Sequence, residues 1–210
     1  MEKQSGKRRL IVGMSGASGA ILGIELLNIM KEQPEWETHL ILSEGAELTI
    51  THETDYTPEQ VKNLADQIYD IRSIGDKVAS GTFSTEGMVI IPCSMKTAAG
   101  MACGYSDNLL LRAADVTLKE RRKLVIAVRE NPLSTIHLRN MLTLSEAGAY
   151  IMPTMLTYYQ KPQTLQEMNL QIVGKILDKF GILAPGYKRW GEEQTYGLSN
   201  RNKHDNNSDQ

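Results

Sequence analysis

The stretch Arg9–Ala20, RLIVGMSGASGA, decides the fold. Leu10–Val12 is a short apolar run that breaks into Gly13, Gly16 and Gly19, spaced three apart, and a helical pattern over Ile21–Lys31 follows at once. The pattern is that of a buried first strand turning tightly into a helix whose N-terminal amides face a crevice. Glycines let a backbone approach a ligand closely, and a helix N-terminus favours a phosphate. The loop therefore predicts a phosphate-bearing cofactor without specifying which.

Outward from this loop, apolar strand-like runs recur at His39–Leu42, Met88–Ile91, Leu124–Val128 and Tyr150–Met152. Between them lie helical patterns at Ala20–Lys31, Glu44–His52, Pro58–Tyr69, Thr97–Ala102, Leu109–Arg122 and Ser134–Ala147. Thr57-Pro58 with Gln60, and Thr164 with Glu167, carry N-terminal capping chemistry. Near-continuous apolar strands alternating with helices predict an α/β fold, an open and mostly parallel sheet covered on both faces. Residues 1–198 read as one domain, and 199–210, SNRNKHDNNSDQ, as a disordered tail with almost nothing to bury.

The bulk properties narrow the function. The chain has 210 residues, 41% hydrophobic content and a net charge of -2, which supports one sizeable core and argues against a general nucleic-acid surface. No secretory pattern and no apolar run of membrane-spanning length is present, so a cytoplasmic protein without a membrane partner is expected. Cys93 and Cys103 lie ten apart and the four histidines are scattered, so no metal site is expected.

In such sheets ligands sit beyond the carboxyl ends of the strands, which directs attention to the residues just after each one. They are Gly16-Ala17-Ser18, then Ser43, then Ser94-Met95-Lys96-Thr97, then Arg129-Glu130. Ser94 could be a plain helix cap beside a solvated lysine, and Arg129-Glu130 a structural ion pair. Together with the glycine loop they read better as donors for a phosphorylated ligand and a carboxylate for proton transfer. Arg112 and Lys119, seven apart, share a helix face; a solvated face is the usual explanation, but Arg112 among leucines and alanines calls for an anion. Arg121 and Arg122 suit a helix C-terminus. Glu53 and Tyr158-Tyr159 have bland readings as surface and turn residues, whereas Trp190 in a polar segment implies docking.

Taken together, GMSGASGA, LILSEGAELTITHETD, IPCSMKTAAGMACGYSDNLLLRAADVTLKERRKLVIAVRENPLSTIHLRNML and TYYQKPQ closely resemble the flavin prenyltransferases of the UbiX type, in particular those members that accompany bacterial phenolic acid decarboxylases. The resemblance covers roughly Arg9 to Trp190. It implies a flavodoxin-like, Rossmann-like fold in a homo-oligomer, typically a dodecamer. The implied reaction joins a dimethylallyl unit from dimethylallyl phosphate to N5 and C6 of reduced FMN without a metal. The prenylated FMN passes to a UbiD-type decarboxylase acting on phenolic or aromatic acids.

By matching motif, the resemblance gives Gly16, Ala17, Ser18, Ser43, Ser94, Met95, Lys96, Thr97 and Arg129 to the FMN site, with Ser18 near N5. It sets Arg112, Lys119, Arg129, Tyr159 and Lys175 around the prenyl phosphate. It casts Ser18, Glu53, Lys119, Glu130 and Trp190 as catalytic, with Glu130 the proton donor to the leaving phosphate. Two departures stand out: Lys175 replaces an arginine, and Ile74–Ala79 lacks a tryptophan that some members place against the prenyl group. Cysteine decarboxylases of related fold, a dinucleotide oxidoreductase using Glu44, and a non-catalytic FMN carrier are the competing readings.

Overall fold

A computed structural model describes residues 6–189, so Trp190 and the C-terminal tail lie outside the described residues. Six parallel strands form one sheet: β1 (Arg8–Met14), β2 (Trp36–Leu42), β3 (Gln67–Tyr69), β4 (Gly87–Cys93), β5 (Lys123–Val128) and β6 (Tyr150–Ile151). Their order is β3-β2-β1-β4-β5-β6. The chain winds outward from β1 in one direction and then from β4 in the other, so the order reverses between β1 and β4. That is the switch point where open α/β sheets hold ligands.

The connecting helices are α1 (Ala20–Lys31), α2 (Glu44–Glu53), α3 (Pro58–Lys62), α4 (Met95–Ala102), α5 (Leu109–Lys119), α6 (Thr135–Glu146) and α7 (Leu165–Asp178). Alternation along β1 divides the core: Leu10, Val12 and Met14 pack toward α1 and α7, while Ile11 packs toward α4, α5 and α6. Gly23 lets α1 settle on the sheet, since a Cβ there would stand 2.6 Å from the Ile91 carbonyl oxygen.

β3 departs from the sequence reading. The apolar spacing of Val61, Leu64, Ala65 and Ile68 predicts a helix through Tyr69, yet α3 stops at Lys62. Asp66 ends it by accepting from the Thr38 backbone N–H at 2.8 Å and the Thr38 hydroxyl at 2.9 Å. This clamp carries the following residues alongside β2, where His39, Leu40 and Ile41 pair with Gln67, Ile68 and Tyr69. The five expected strands alone would have the flavodoxin order; the short edge strand extends it by one.

Candidate active site

Four loops are stitched together at the carboxyl edge. Ser15, buried just after β1, donates its hydroxyl to the Pro92 carbonyl at 3.2 Å and accepts the Ser94 N–H at 2.8 Å, which ties the first loop to the end of β4. The Ser43 N–H donates to the Met14 carbonyl at 3.0 Å, which ties in the end of β2. Gly16 lies against Gly45 of α2, where an added Cβ would sit 2.9 Å from the Gly45 Cα. The Arg129 N–H donates to the Cys93 carbonyl at 3.2 Å, bringing the end of β5 alongside.

The glycines of the first loop thus serve the protein's own packing. Gly13 makes room for Met88 and Leu110, Gly16 for the start of α2, and Gly19, at φ 104°, takes a left-handed conformation at the start of α1. The α1 amides are also occupied. Glu53, the last residue of α2, accepts from the Gly19 N–H at 2.7 Å and the Ala20 N–H at 3.2 Å. A phosphate is expected there on the helix-dipole argument; the structure instead gives that position to a carboxylate from the same chain. Burial pushes the Glu53 carboxyl up, but hydrogen bonds from the Gly19 N–H, the Ser18 hydroxyl and the Ala20 N–H, with the Arg129 charge nearby, leave it below the usual carboxylate range. Glu53 is therefore ionised at neutral pH, and Ser18 is held by its bond to it.

The start of α4 behaves differently. Ser94 caps the helix by accepting the Thr97 N–H, so the helix begins at Met95, two residues earlier than its apolar pattern suggests. Lys96 stands exposed in the first turn and has no carboxylate partner among the described residues. An ammonium at the positive end of a helix is unfavourable by itself, and a bound anion beside it would offset that. Ser43 likewise caps α2 through the Ala46 N–H. Hydroxyls, first-turn amides and the Lys96 ammonium around the switch point fit a flavin mononucleotide.

Arg129 and Glu130 line a cleft of about 450 Å³ with Leu133, Pro153 and Met155. Glu130 is exposed and accepts from the Asn131 N–H at 3.0 Å. The fold thus gathers Gly16, Ala17, Ser18, Ser43, Glu53, the Ser94–Thr97 turn, Arg129 and Glu130 along one edge.

Among the described residues, the remaining expected cations make no hydrogen bond or ion pair with this group. Arg112 pairs with Asp115 on its own helix at 2.6 Å, which supplies its anion locally. Lys119 ends α5 beside Gly81 and pairs with Glu120, at the amino edge where β5 begins. Lys175, on α7 one turn before Lys179, lines a cleft beneath the connection that follows β6, beside Met152 and Met155. Tyr159 is half exposed on the connection that follows β6, and Ile74 is partly exposed between β3 and β4. Arg122 does more than complement a helix dipole: its guanidinium binds the Gly81 and Phe83 carbonyls. Ser15 was not among the expected site residues, although a hydroxyl opening the glycine loop was a visible signal.

Among the described residues no cluster of three or more His, Cys, Asp or Glu could hold a metal, and no helix is long and apolar enough to cross a membrane. The Flavoprotein family model matches residues 1–181. A probable UbiX-like flavin prenyltransferase of Sedimentibacter hydroxybenzoicus is 50% identical over 182 residues, covering 87% of this chain and 96% of the relative. The chain belongs to the UbiX-like flavin prenyltransferases.

Solved structures of this UbiX-like family match the whole fold. AnUbiX (PadA1), in complex with FMN and dimethylallyl pyrophosphate, superposes with a TM-score of 0.86 at 45% identity, over 90% of this chain and 100% of that one. The dodecameric FMN-dependent UbiX-like decarboxylase of Escherichia coli O157:H7 also gives 0.86, at 48% identity over 88% of this chain and 100% of that one. The flavodoxin-like architecture expected from the sequence is the one observed.

Proposed function

We propose that this UbiX-like chain transfers a dimethylallyl group from dimethylallyl phosphate to N5 and C6 of reduced FMN, without a metal. The observation that carries the reading is the gathering of Ser18, Glu53, Arg129 and Glu130 at the switch point of a chain with this family membership. Reduced FMN, when bound, supplies the nucleophile. Ser43, Ser94, Lys96 and Thr97 would hold its phosphate end, and Gly16, Ala17, Met95 and Arg129 would line the rest of its site.

The chain's own residues then perform four tasks. Ionised Glu53 fixes the Ser18 hydroxyl, so Ser18 presents its lone pairs toward the flavin. Arg129, with the cations and the Tyr159 hydroxyl expected around the donor, stabilises the negative charge that grows on the departing phosphate. Glu130, on the open cleft, delivers the proton to that phosphate. Trp190 would face the allylic cation, as the resemblance implies.

The position of Lys119 supports a shared site. A six-residue strand spans about 20 Å, so the Lys119 ammonium at the amino edge does not reach the switch point of its own chain, and a second copy can bring it there. Ile136, Leu138 and Leu142 of α6, 67%, 52% and 59% exposed, offer apolar surface for such contacts. We take the assembly to be a homo-oligomer, a dodecamer like that of the E. coli O157:H7 relative. The product would go to a UbiD-type decarboxylase in the cytoplasm. The oxidoreductase reading loses its ribose-binding acid, because Glu44 is bound to Arg72 at 2.7 Å.

Anaerobic incubation with reduced FMN and dimethylallyl phosphate, followed by mass analysis of the released flavin, tests the reading. A prenyl adduct is expected, and its absence with both the monophosphate and the diphosphate donor overturns it. Glu130→Gln that still binds FMN but loses turnover excludes a carrier; full turnover in that variant removes Glu130 from the chemistry.

A further inference from the structure

The connection after β6 and helix α7 enclose a cleft of about 500 Å³ whose walls include Met152, Met155, Thr157, Gln171, Ile172 and Lys175. Two of these wall residues carry a polar atom that is shut off from water and has no hydrogen-bond partner among the described residues: Thr157 Oγ1 and Gln171 Oε1. Gln171 is only 7% exposed, and its helix neighbours Val173, Ile176 and Leu177 are buried apolar residues. Packing alone asks for an apolar side chain at that position. A buried amide with an unmade bond costs stability, and such groups in native proteins call for a reason.

Gln171 and Lys175 are four residues apart on α7, so they project from the same side of the helix. Lys175 has no ion-pair partner among the described residues. An ammonium, an amide and a hydroxyl set in a wall of methionine and isoleucine suit a small amphiphilic anion: oxygens at one end, hydrocarbon at the other. A carboxamide can turn over to present its N–H groups to anionic oxygens in place of its carbonyl. We propose that Gln171 and Thr157 complete the pocket for the phosphate end of the prenyl donor, and that Gln171 sets the donor's affinity. The inference rests on the prenyl-transfer reading and on the place that reading gives Lys175. It adds two residues that no motif marked. With the donor bound, the turned-over Gln171 amide and the Thr157 hydroxyl both donate to its phosphate oxygens.

The test is Gln171→Leu in the full-length oligomer. Its KM for dimethylallyl phosphate is expected to rise about tenfold, with kcat and FMN affinity moving far less. Its melting temperature without donor should be unchanged or higher, because an orphaned polar group has been removed. Thr157→Val should raise KM about threefold, and Gln171→Glu, which sets a carboxylate beside the incoming phosphate, more than Gln171→Leu. An unchanged KM in Gln171→Leu overturns the inference. So does a lowered melting temperature or a dissociated oligomer, since the amide would then serve a structural or inter-subunit bond. Absence of prenyl adduct with the wild-type protein defeats the prenyl-transfer reading instead. In that case calorimetric titration of wild type and Gln171→Leu with dimethylallyl phosphate still decides the pocket: equal affinities overturn it and weaker binding by the variant supports it.

Discussion

The two edges of the sheet are built in opposite ways. At the carboxyl edge, side chains from distant loops bind one another: Ser15 joins β1 to β4, Glu53 caps α1, and Arg129 faces Glu53. At the amino edge, cations end singly on a neighbouring carboxylate or on backbone carbonyls: Lys119 takes Glu120, Arg122 the Gly81 and Phe83 carbonyls, and Lys123 the Lys179 carbonyl. The first edge is organised by a single chain and is ready to hold a ligand. The second presents the Lys119 ammonium, which under the proposed shared site would serve a neighbouring copy.

The largest effect should come from the carboxyl edge. Glu130→Gln is expected to lower kcat about a thousandfold with FMN binding retained, the usual cost of losing a positioned proton donor. Lys175→Ala should act mainly on KM for the donor. Mixing subunits breaks or confirms the contrast between edges. Glu130→Gln and Lys119→Ala oligomers, each inactive, should recover measurable turnover after being dissociated and reassembled together. No recovery would mean that each site is furnished by one chain.

Stability measurements sharpen the contrast further. His39, midway along β2 and fully buried, makes a 2.7 Å hydrogen bond to the Tyr69 hydroxyl. Burial is the main cause holding its imidazole down to about 4, below its ordinary value. The unfolded chain therefore binds a proton between about pH 6.5 and 4 that the folded chain refuses, so stability is full above that window and is lost as pH falls through it. The loss should be on the order of 3 kcal/mol by urea unfolding at pH 7 and pH 4, and His39→Gln should flatten the slope.

Gly16→Ala, which forces a methyl against the Gly45 backbone, should cost about 2 kcal/mol and weaken FMN binding at the same time. Fluorescence titration and thermal melts check both. The equivalent perturbation at a self-contained cation pair should be small: Asp115→Ala, which frees Arg112, should change stability by less than about 1 kcal/mol. A large effect there would show that Asp115 does more than neutralise its neighbour.

Much of this molecule was legible in one dimension. Local apolar runs, glycine spacing and capping residues gave strands one, two, four, five and six, the start of α1 at Ala20 and the capping box at Thr57, because each depends on residues within a few positions. The same local reading marked Ser18, Ser43, the Ser94–Thr97 turn, Arg129 and Glu130, since parallel strands deliver whatever follows them to one edge. It failed at β3, where Asp66 answers to Thr38, and at the α1 amides, where Glu53 stands in place of a phosphate. Those outcomes turn on hydrogen bonds between residues about thirty positions apart, which no local pattern encodes. Ser15 as a clasp, Gly16 as a contact with Gly45, Lys119 at the far edge and the orphaned amide of Gln171 belong to the same class. Sequence specified the elements and the chemistry available; packing in three dimensions decided which groups meet, which are already satisfied and which are left waiting for a ligand.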